Sequence, residues 1–198
     1  PRLARLLCAP GNAGTSAFAE NVSLPPDHAG ILALCKREEV NLVVVGPEDP
    51  LVSGLADMLR AADVLVFGPS AAGARIEGSK GYAKGLMTRH GIPTARGQTF
   101  RSHEFVKAET YIRSLPEPPV IKADGLCAGK GVVVASTTTE AVDAARDMLI
   151  KGQFGKAGEH IVVEDRLHGK ELSVLAVTDG RRLVMLPPAQ DFKRAFDN

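Results

Sequence analysis

The chain has 198 residues, of which 44% are hydrophobic and 24% are charged, and its formal net charge at pH 7 is +1. This composition is ordinary for a globular protein that buries a core in one or two domains. The small net charge and the aromatic content of 5% give no reason to expect binding to nucleic acid or to an acidic membrane surface. No apolar run in the sequence approaches the roughly 20 residues that span a bilayer.

The cysteines are odd in number and widely spaced, at Cys8, Cys35 and Cys127, with no C-x-x-C pair. Such usage fits a reducing compartment, the cytoplasm, and offers no zinc site. The five histidines are scattered as well. Metal binding through thiolate or imidazole ligands is therefore not expected.

The first part of the chain alternates between strand and helix patterns. Apolar runs predict strands at residues 3–8, 42–45 and 64–67, the second continuous enough to be buried on both faces of a parallel sheet. Between them, helices are predicted at residues 27–39, with Asp27 as the N-cap, and at residues 51–62. This alternation predicts a parallel α/β sheet of the Rossmann-like kind, with ligand loops at the carboxyl ends of its strands. Three strands are few for such a sheet, so we expect a preceding strand and helix to be missing.

From residue 71 onward the pattern changes to strands that pair locally and helices that pack on one face. It predicts helices at residues 71–90, after Ser102 and at 139–150, and strands at residues 96–100, at 160–164 and before the loop described next. Residues 170–178 and 182–186 predict a hairpin about a two-residue turn, Asp179-Gly180. We therefore expect an α/β domain at residues 1–72 and an α+β domain at residues 73–198, with a lid subdomain at about residues 116–165.

The stretch VIKADGLCAGKGVVVA, residues 120–135, is a strand, a glycine-rich loop and a second strand. Glycine at positions 125, 129 and 131 allows positive φ angles and a close approach to a ligand, and successive backbone N–H groups in such a loop suit an anion. Lys122 and Lys130 add positive charge at its two ends. The loop is typical of a lid over nucleotide phosphates, and a plain glycine-rich turn with an exposed lysine is the alternative.

A third lysine, Lys80, lies in the sequence EGSK at the start of a predicted helix. An ammonium group at a helix N-terminus favours phosphate, although a lysine that simply faces solvent is the ordinary alternative. The sequence contains no G-x-x-x-x-G-K-[ST] motif, so a P-loop is excluded.

Two acidic residues, Glu164 and Glu171, bracket the segment between a predicted apolar strand and the next one. In a nucleotide site such a strand end can bond an adenine edge through its backbone, and a carboxylate seven residues later can accept from ribose hydroxyls. A pair of exposed acids flanking a loop is the alternative.

These elements, in this order and spacing, resemble the ATP-grasp ligases, and further motifs narrow the resemblance to the phosphoribosylamine–glycine ligase family. The motifs are PGNAGT (residues 10–15), VVVGPEDPLVSGLAD (43–57), FGPS (67–70), EGSKGYAKGLMTRHGIPTA (77–95), KADGLCAGKGVVVA (122–135) and PPAQDFKR (187–194). The resemblance covers nearly the whole chain. It implies an N-terminal pre-ATP-grasp domain and an ATP-grasp domain that joins glycine to 5-phosphoribosylamine, through a glycyl phosphate, in purine biosynthesis.

The resemblance also implies roles for individual residues. In the ATP site, the phosphates would contact Lys80 and Lys122. The lid over them would comprise Gly125, Leu126, Gly129, Lys130 and Gly131. Glu164, Asp165 and Leu167 would line the adenine, and Glu171 would bind the ribose. The substrate side would comprise Pro10, Gly11, Asn12, Gly14, Thr15, Gly46, Pro47 and Glu48. Lys122, Asp191, Lys193 and Arg194 would be catalytic.

Three positions depart from the family pattern. Arg166 stands where an apolar residue is usual, so its aliphatic stem would line the adenine edge. Phe192 replaces a common histidine, which argues against an acid or base at that position. Cys127 replaces a small residue in the lid, where it is surrounded by glycines and Lys130.

The resemblance further implies that the chain is a fragment lacking both ends and inactive alone. The acidic ligands of Mg²⁺ or Mn²⁺ would lie beyond residue 198, and none is expected within the chain. Expected small-molecule partners are ATP, glycine and 5-phosphoribosylamine, with no nucleic acid or membrane. The parent would be a cytoplasmic monomer or part of a multifunctional purine enzyme. Two alternatives are another ATP-grasp enzyme, such as a biotin-dependent carboxylase, and a module that only binds nucleotide.

Overall fold

The structure is a computed structural model that describes residues 3–127 and 129–190. Its strands are β1 (Leu7–Cys8), β2 (Glu20–Asn21), β3 (Leu42–Val44), β4 (Leu65–Phe67), β5 (Gly97–Arg101), β6 (Val120–Ala123), β7 (Val132–Val134), β8 (His160–Glu164), β9 (Leu172–Ser173), β10 (Ala176–Thr178), β11 (Leu183–Met185) and β12 (Ala189–Gln190). Its α-helices are α1 (His28–Arg37), α2 (Glu48–Val52), α3 (Leu55–Ala61), α4 (Ala71–Gly78), α5 (Lys80–Arg89), α6 (Phe105–Ser114) and α7 (Thr138–Leu149). Within these ranges no helix is long and apolar enough to cross a membrane.

The largest sheet has four strands in the order β5-β8-β6-β7, and all its pairs are antiparallel. β8 lies in the interior of the sheet, and four of its five residues are buried. Its run of Ile161, Val162 and Val163 suits a strand covered on both sides, because β-branched side chains pack well on a pleated surface. This sheet is the frame on which the rest of the second part is built.

Helices α6 and α7 cover one face of this sheet and close the main hydrophobic core. The buried residues of α7 recur at helical spacing, at Ala141, Val142, Ala145, Met148 and Leu149, and so form one apolar face. The side chain of Thr137 caps this helix by accepting from the N–H of Glu140. The α+β architecture predicted for this part of the chain is what the structure contains.

The predicted N-terminal sheet is only partly present. β3 and β4 pair in parallel, but β1 pairs with β2 in a separate two-stranded sheet. The described residues therefore do not form one continuous parallel sheet. The prediction that the strand at residues 42–45 is buried on both faces is also wrong, since Leu42 and Val44 are 55% and 65% exposed. Val43, between them, is packed against the cluster around Leu59, because helices cover only one face of this pair.

Two stretches predicted as single helices are each broken. Residues 51–62 divide into α2 and α3 at Gly54, whose φ of +94° is a left-handed conformation that glycine adopts easily. Residues 71–90 divide into α4 and α5 at Ser79, which is extended and caps α5 by accepting from the N–H of Tyr82. The helix predicted at 27–39 is confirmed as α1, and Asp27 is its N-cap.

The hairpin predicted at residues 170–178 and 182–186 is present only in part, because its first strand is interrupted between β9, which pairs with β12, and β10. β10 and β11 pair antiparallel, and their last paired residues are Thr178 and Leu183. The loop between them therefore has four residues, not two. The Asp179 carboxylate accepts from the N–H groups of Arg181 and Arg182, which closes the longer turn.

Truncating Ile112 on α6 should destabilise the fold strongly. Its side chain is fully buried in the main core, so Ile112→Ala should lower the free energy of unfolding by about 2–5 kcal/mol through lost burial and a residual cavity. Urea denaturation followed by circular dichroism measures the change. Val106→Ala is the matched control on the same helix, because Val106 is 75% exposed and its loss should cost no more than about 0.5 kcal/mol. Equal losses for both variants would contradict the assigned core.

Candidate functional site

A cavity of about 810 Å³ lies between the four-stranded sheet and helices α4 and α5. The alternation of side chains along β6 creates it, because Ile121 and Ala123 point into the core while Val120 and Lys122 point into the cavity. Val132 and Val134 of β7 and Met87 of α5 add apolar wall. The volume is within the range of small-molecule and cofactor sites, which are mostly apolar with a few polar groups.

The Glu164 carboxylate is shared by two lysines at one wall of this cavity. Lys84 Nζ lies 2.8 Å from Glu164 Oε1, and Lys122 Nζ lies 2.5 Å from Glu164 Oε2. The antiparallel register of β6 and β8 pairs Val120 with Glu164 and Lys122 with Val162, so these side chains emerge on the same face of the sheet. Burial acts to raise the pKa of the Glu164 carboxyl, but hydrogen bonds from Lys122 and Lys84 outweigh it and hold that pKa below its ordinary value.

Lys84 is nearly buried, with 8% of its side chain exposed. Besides Glu164, its ammonium donates to Thr94 Oγ1 at 2.8 Å and to the carbonyl oxygen of Ala95 at 2.5 Å. An ammonium group has three donors, and all three are used. Lys84 is therefore a fixed charge behind the cavity wall. Lys122, with 30% of its side chain exposed, is the lysine of this pair that a ligand can reach.

Lys80 also lines the cavity, but its surroundings differ from the prediction. The N-terminus of α5 already holds a carboxylate, since Asp124 Oδ1 accepts from the N–H of Gly81 at 2.6 Å and from the hydroxyl of Ser79. The helix end itself is thus not open to a phosphate in this structure. The ammonium of Lys80 donates to the carbonyl oxygen of Gly125 at 3.0 Å, which ties α5 to the base of the glycine-rich loop.

The glycine-rich loop uses its glycines in two ways. Among the three that the sequence singled out, only Gly129 has a positive φ, of +77°. Gly125 and Gly131 are instead needed for close packing, because a Cβ on them would lie 2.7 Å from the Cβ atoms of Ala157 and Cys127 respectively. The conformational freedom that glycine allows is therefore used at one of the three positions. The lid residues Gly125, Leu126, Gly129, Lys130 and Gly131 are not among the described residues that line the cavity.

The segment after β8 does line the cavity. Asp165, Arg166, Leu167 and Glu171 all contribute to its wall, together with Glu164. The N–H of Asp165 donates to the carbonyl oxygen of Arg96, and its carboxylate pairs with the Arg96 guanidinium at 3.0 Å. This pairing continues the β5–β8 contact beyond the sheet and fixes the backbone where it enters the cavity wall.

The residues predicted for the substrate side lie elsewhere. Asn12 stabilises its own loop by local hydrogen bonds. Its Oδ1 accepts from the N–H groups of Gly14 and Thr15, and Thr15 Oγ1 accepts from the N–H of Asn12. Gly11 has a φ of +74°, and Pro10 follows a cis peptide bond. In the second loop, Gly46 and Pro47 precede Glu48, the first residue of α2. Asp191, Phe192, Lys193 and Arg194 lie outside the described residues.

Family models match the chain from end to end. The phosphoribosylglycinamide synthetase N domain matches residues 1–77, and the ATP-grasp (A) domain of the same enzyme matches residues 78–198. The chain belongs to the phosphoribosylglycinamide synthetase family. The resemblance drawn from the sequence motifs is confirmed.

Curated relatives agree with this assignment. The chain is 49% identical over 200 residues to a phosphoribosylamine–glycine ligase of Xylella fastidiosa, and 50% identical over 198 residues to one of Brucella melitensis. These alignments cover 99% and 100% of the chain and 46% of each relative. The chain thus spans about half the length of the curated relatives it matches.

Solved structures place the fold among ATP-grasp proteins. A phosphoribosylamine–glycine ligase from Thermotoga maritima superposes with a TM-score of 0.77 at 35% identity, over 96% of this chain and 45% of that one. A biotin carboxylase domain from Hydrogenobacter thermophilus, solved with MgADP, gives a TM-score of 0.73 at 15% identity over 94% of this chain and 44% of its own. At that identity the second likeness shows the fold alone. The mixed α/β ATP-grasp architecture is confirmed.

Sequence reasoning missed two residues at the site of this phosphoribosylglycinamide synthetase family member. Lys84 follows Lys80 by one helical turn in SKGYAK, so both project from one side of α5. That spacing was a usable signal. Asp124 gave no such signal, because a carboxylate within a glycine-rich loop is ordinarily expected to face solvent. Its long-range contact with Ser79 is seen only in the structure.

The ion pairs of Glu164 should make folding sensitive to acid. Because its pKa in the folded state is below the ordinary 4.5, its contribution to stability is complete above that value and is lost as pH falls through the folded pKa. The stability gap between the unmodified chain and Glu164→Gln should therefore shrink below about pH 4.5. Urea denaturation across this pH series measures it.

Glu109→Gln serves as the control for this pH series, because Glu109 forms an i,i+4 pair with Arg113 on the helix surface and this variant should show a small stability gap throughout. A gap for Glu164→Gln that stays constant from neutral pH down to about pH 3 would contradict the ion-paired assignment.

Proposed function

We propose that the full-length protein is an ATP-dependent ligase that joins glycine to 5-phosphoribosylamine, giving glycinamide ribonucleotide, ADP and phosphate. The observation that carries this proposal is the match to both family domains at about half identity to ligases of that name over the whole chain. The cavity between the sheet and α5 supports it by offering a site of nucleotide size with Lys80 on its helix side and Lys122 on its sheet side.

ATP is proposed to occupy this cavity, with its phosphates toward Lys80 and Lys122. Both lysines line it, and an ammonium group is a point charge suited to phosphate. Leu167 and the backbone of Glu164 and Asp165 would contact adenine, and Glu171 would accept from ribose. The aliphatic stem of Arg166 is proposed to cover the adenine edge.

The chemistry explains why cations and a lid are needed. A glycine carboxylate is a poor electrophile, so transfer of the γ-phosphoryl group to its oxygen, with release of ADP, makes an acyl phosphate that has a good leaving group. The amine of phosphoribosylamine then attacks the carbonyl carbon, phosphate departs and the nitrogen loses a proton. Lysines that face the phosphates stabilise charge where it develops. The loop of Gly125, Leu126, Gly129, Lys130 and Gly131 is proposed to close over the phosphates and exclude water from the intermediate.

The described residues do not fit the metal that this chemistry implies. They contain no group of three or more His, Cys, Asp or Glu side chains arranged to hold an ion, and the carboxylate of Glu164 is already taken by two lysines. We therefore derive no step through Mg²⁺ or Mn²⁺. Its ligands are proposed to lie beyond residue 198, as the sequence resemblance implies.

The loops at residues 10–15 and 46–48 are proposed to receive the substrates, with Asp191, Lys193 and Arg194 acting beside Lys122. The N-terminal domain, taken as residues 1–72, is proposed to complete a Rossmann-like sheet in the full-length protein. Cytoplasmic location and a monomeric or fused parent are likewise proposed.

Purified full-length protein should release ADP only when glycine and phosphoribosylamine are both supplied with ATP. Glycine is needed because its carboxylate is phosphorylated, and phosphoribosylamine is needed because its amine consumes the acyl phosphate. A coupled ADP assay measures release, and mass spectrometry identifies glycinamide ribonucleotide. The 198-residue chain itself serves as the comparison and should show no turnover. ADP release that is independent of phosphoribosylamine, with no amide product, would contradict the proposed function.

Replacing Lys122 should weaken ATP binding. A charge-assisted contact to phosphate contributes roughly 1.5–3 kcal/mol, so Lys122→Ala in the full-length protein should raise the dissociation constant for MgATP by about ten- to a hundredfold. Isothermal titration calorimetry measures it. Lys107→Ala is the control, because Lys107 is an exposed helix residue paired with Glu104. Unchanged affinity for Lys122→Ala would remove Lys122 from the phosphate site.

A further inference from the structure

No contact with ATP is proposed for Lys84, yet it carries the most buried ammonium group near the cavity. Its ammonium makes three short contacts, to Glu164, Thr94 and Ala95, and only 8% of its side chain is exposed. A lysine with all three donors used cannot turn toward a ligand without leaving polar atoms unpaired. Direct contact with nucleotide is therefore not its role.

The charges at this wall do not balance within one pair. Glu164 carries one negative charge, and Lys84 and Lys122 carry two positive charges, so the trio has a net charge of +1 at the cavity surface. With Lys122 alone, Glu164 would form a neutral pair and the cationic character of the wall would be lost. Lys84 thus compensates the carboxylate of Glu164, so that the charge of Lys122 is available to a polyanion.

The same arrangement governs whether Lys122 can change partner. If Lys122 moved from Glu164 to a phosphate with no other cation nearby, a buried carboxylate would be left unpaired beside a polyanion, which is strongly unfavourable. Because Lys84 stays on Glu164 Oε1, the carboxylate remains compensated when Oε2 is vacated. The exchange then costs far less.

We propose that Lys84 is a positioning residue for nucleotide binding: by holding Glu164, it frees Lys122 to transfer from the carboxylate to a phosphate of ATP. This inference rests on the proposed function only in taking ATP as the ligand of the cavity. Glu164 is the element through which Lys84 acts, so the effect of Lys84 should depend on the charge of Glu164.

The test compares four full-length proteins by calorimetry with MgATP: unmodified, Lys84→Met, Glu164→Gln and the double variant. Lys84→Met should weaken ATP binding by about tenfold or more, the effect of one charge-assisted interaction. In the Glu164→Gln background no carboxylate needs compensation, so adding Lys84→Met should change the ATP affinity by no more than about twofold. Lys107→Met is the matched control at an exposed ion pair.

Kinetics separate positioning from a general structural defect. Lys84→Met should raise KM for ATP while leaving KM for glycine unchanged, whereas a loosened fold would affect both. If Lys84→Met does not fold, the comparison of Glu164→Gln with the double variant still decides the matter. A double variant that binds ATP tenfold more weakly than Glu164→Gln would overturn the proposal, because Lys84 would then act without Glu164.

An error in the proposed ligase function would give a result different from an error in the role of Lys84. Unmodified protein that binds MgATP but makes no glycinamide ribonucleotide would contradict the ligase assignment and leave the Lys84 comparison intact. Unmodified protein that binds no MgATP would overturn the inference, because the cavity would not be a nucleotide site.

Discussion

The buried carboxylate of Glu164 constrains the arrangement of the four-stranded sheet and helix α5. A buried charge must be paired, and the loss of its partners is costly. The β6–β8 register brings Lys122 to one oxygen of Glu164, and α5 brings Lys84 to the other. The sheet, the helix and the segment at Thr94 and Ala95 are thus fixed relative to one another by a single polar cluster.

The cavity follows from this arrangement. Alternation along β6 sends one set of side chains to the α6–α7 core and the other to the cavity, so the strand that stabilises the fold also carries Lys122. Asp124, directly after the same strand, anchors the N-terminus of α5 through Gly81 and Ser79. Fold and site therefore share their residues, and the glycine-rich loop begins from a fixed base.

Much of the second part could be predicted from the sequence because its signals are local. Apolar runs and helical periodicity identified β6, β8 and α7. Four residues that line the cavity, Lys80, Lys122, Glu164 and Glu171, were singled out as candidates from their place at element ends. Lys84 was missed, since its partner lies 80 residues away across the sheet. The helix breaks at Gly54 and Ser79 depend on backbone conformation, which apolar periodicity does not report. The exposure of Leu42 and Val44 depends on what covers a sheet face, which no local pattern contains.

A crystal structure of the full-length protein with ADP would test the central claim most directly. In the structure described above Lys122 Nζ lies 2.5 Å from Glu164 Oε2, and Lys84 Nζ lies 2.8 Å from Oε1. The account predicts that Lys122 Nζ will be found about 3 Å from a phosphate oxygen, with Lys84 still on Glu164. A bound nucleotide whose phosphates lie away from Lys122, with the Lys122–Glu164 pair unchanged, would contradict it.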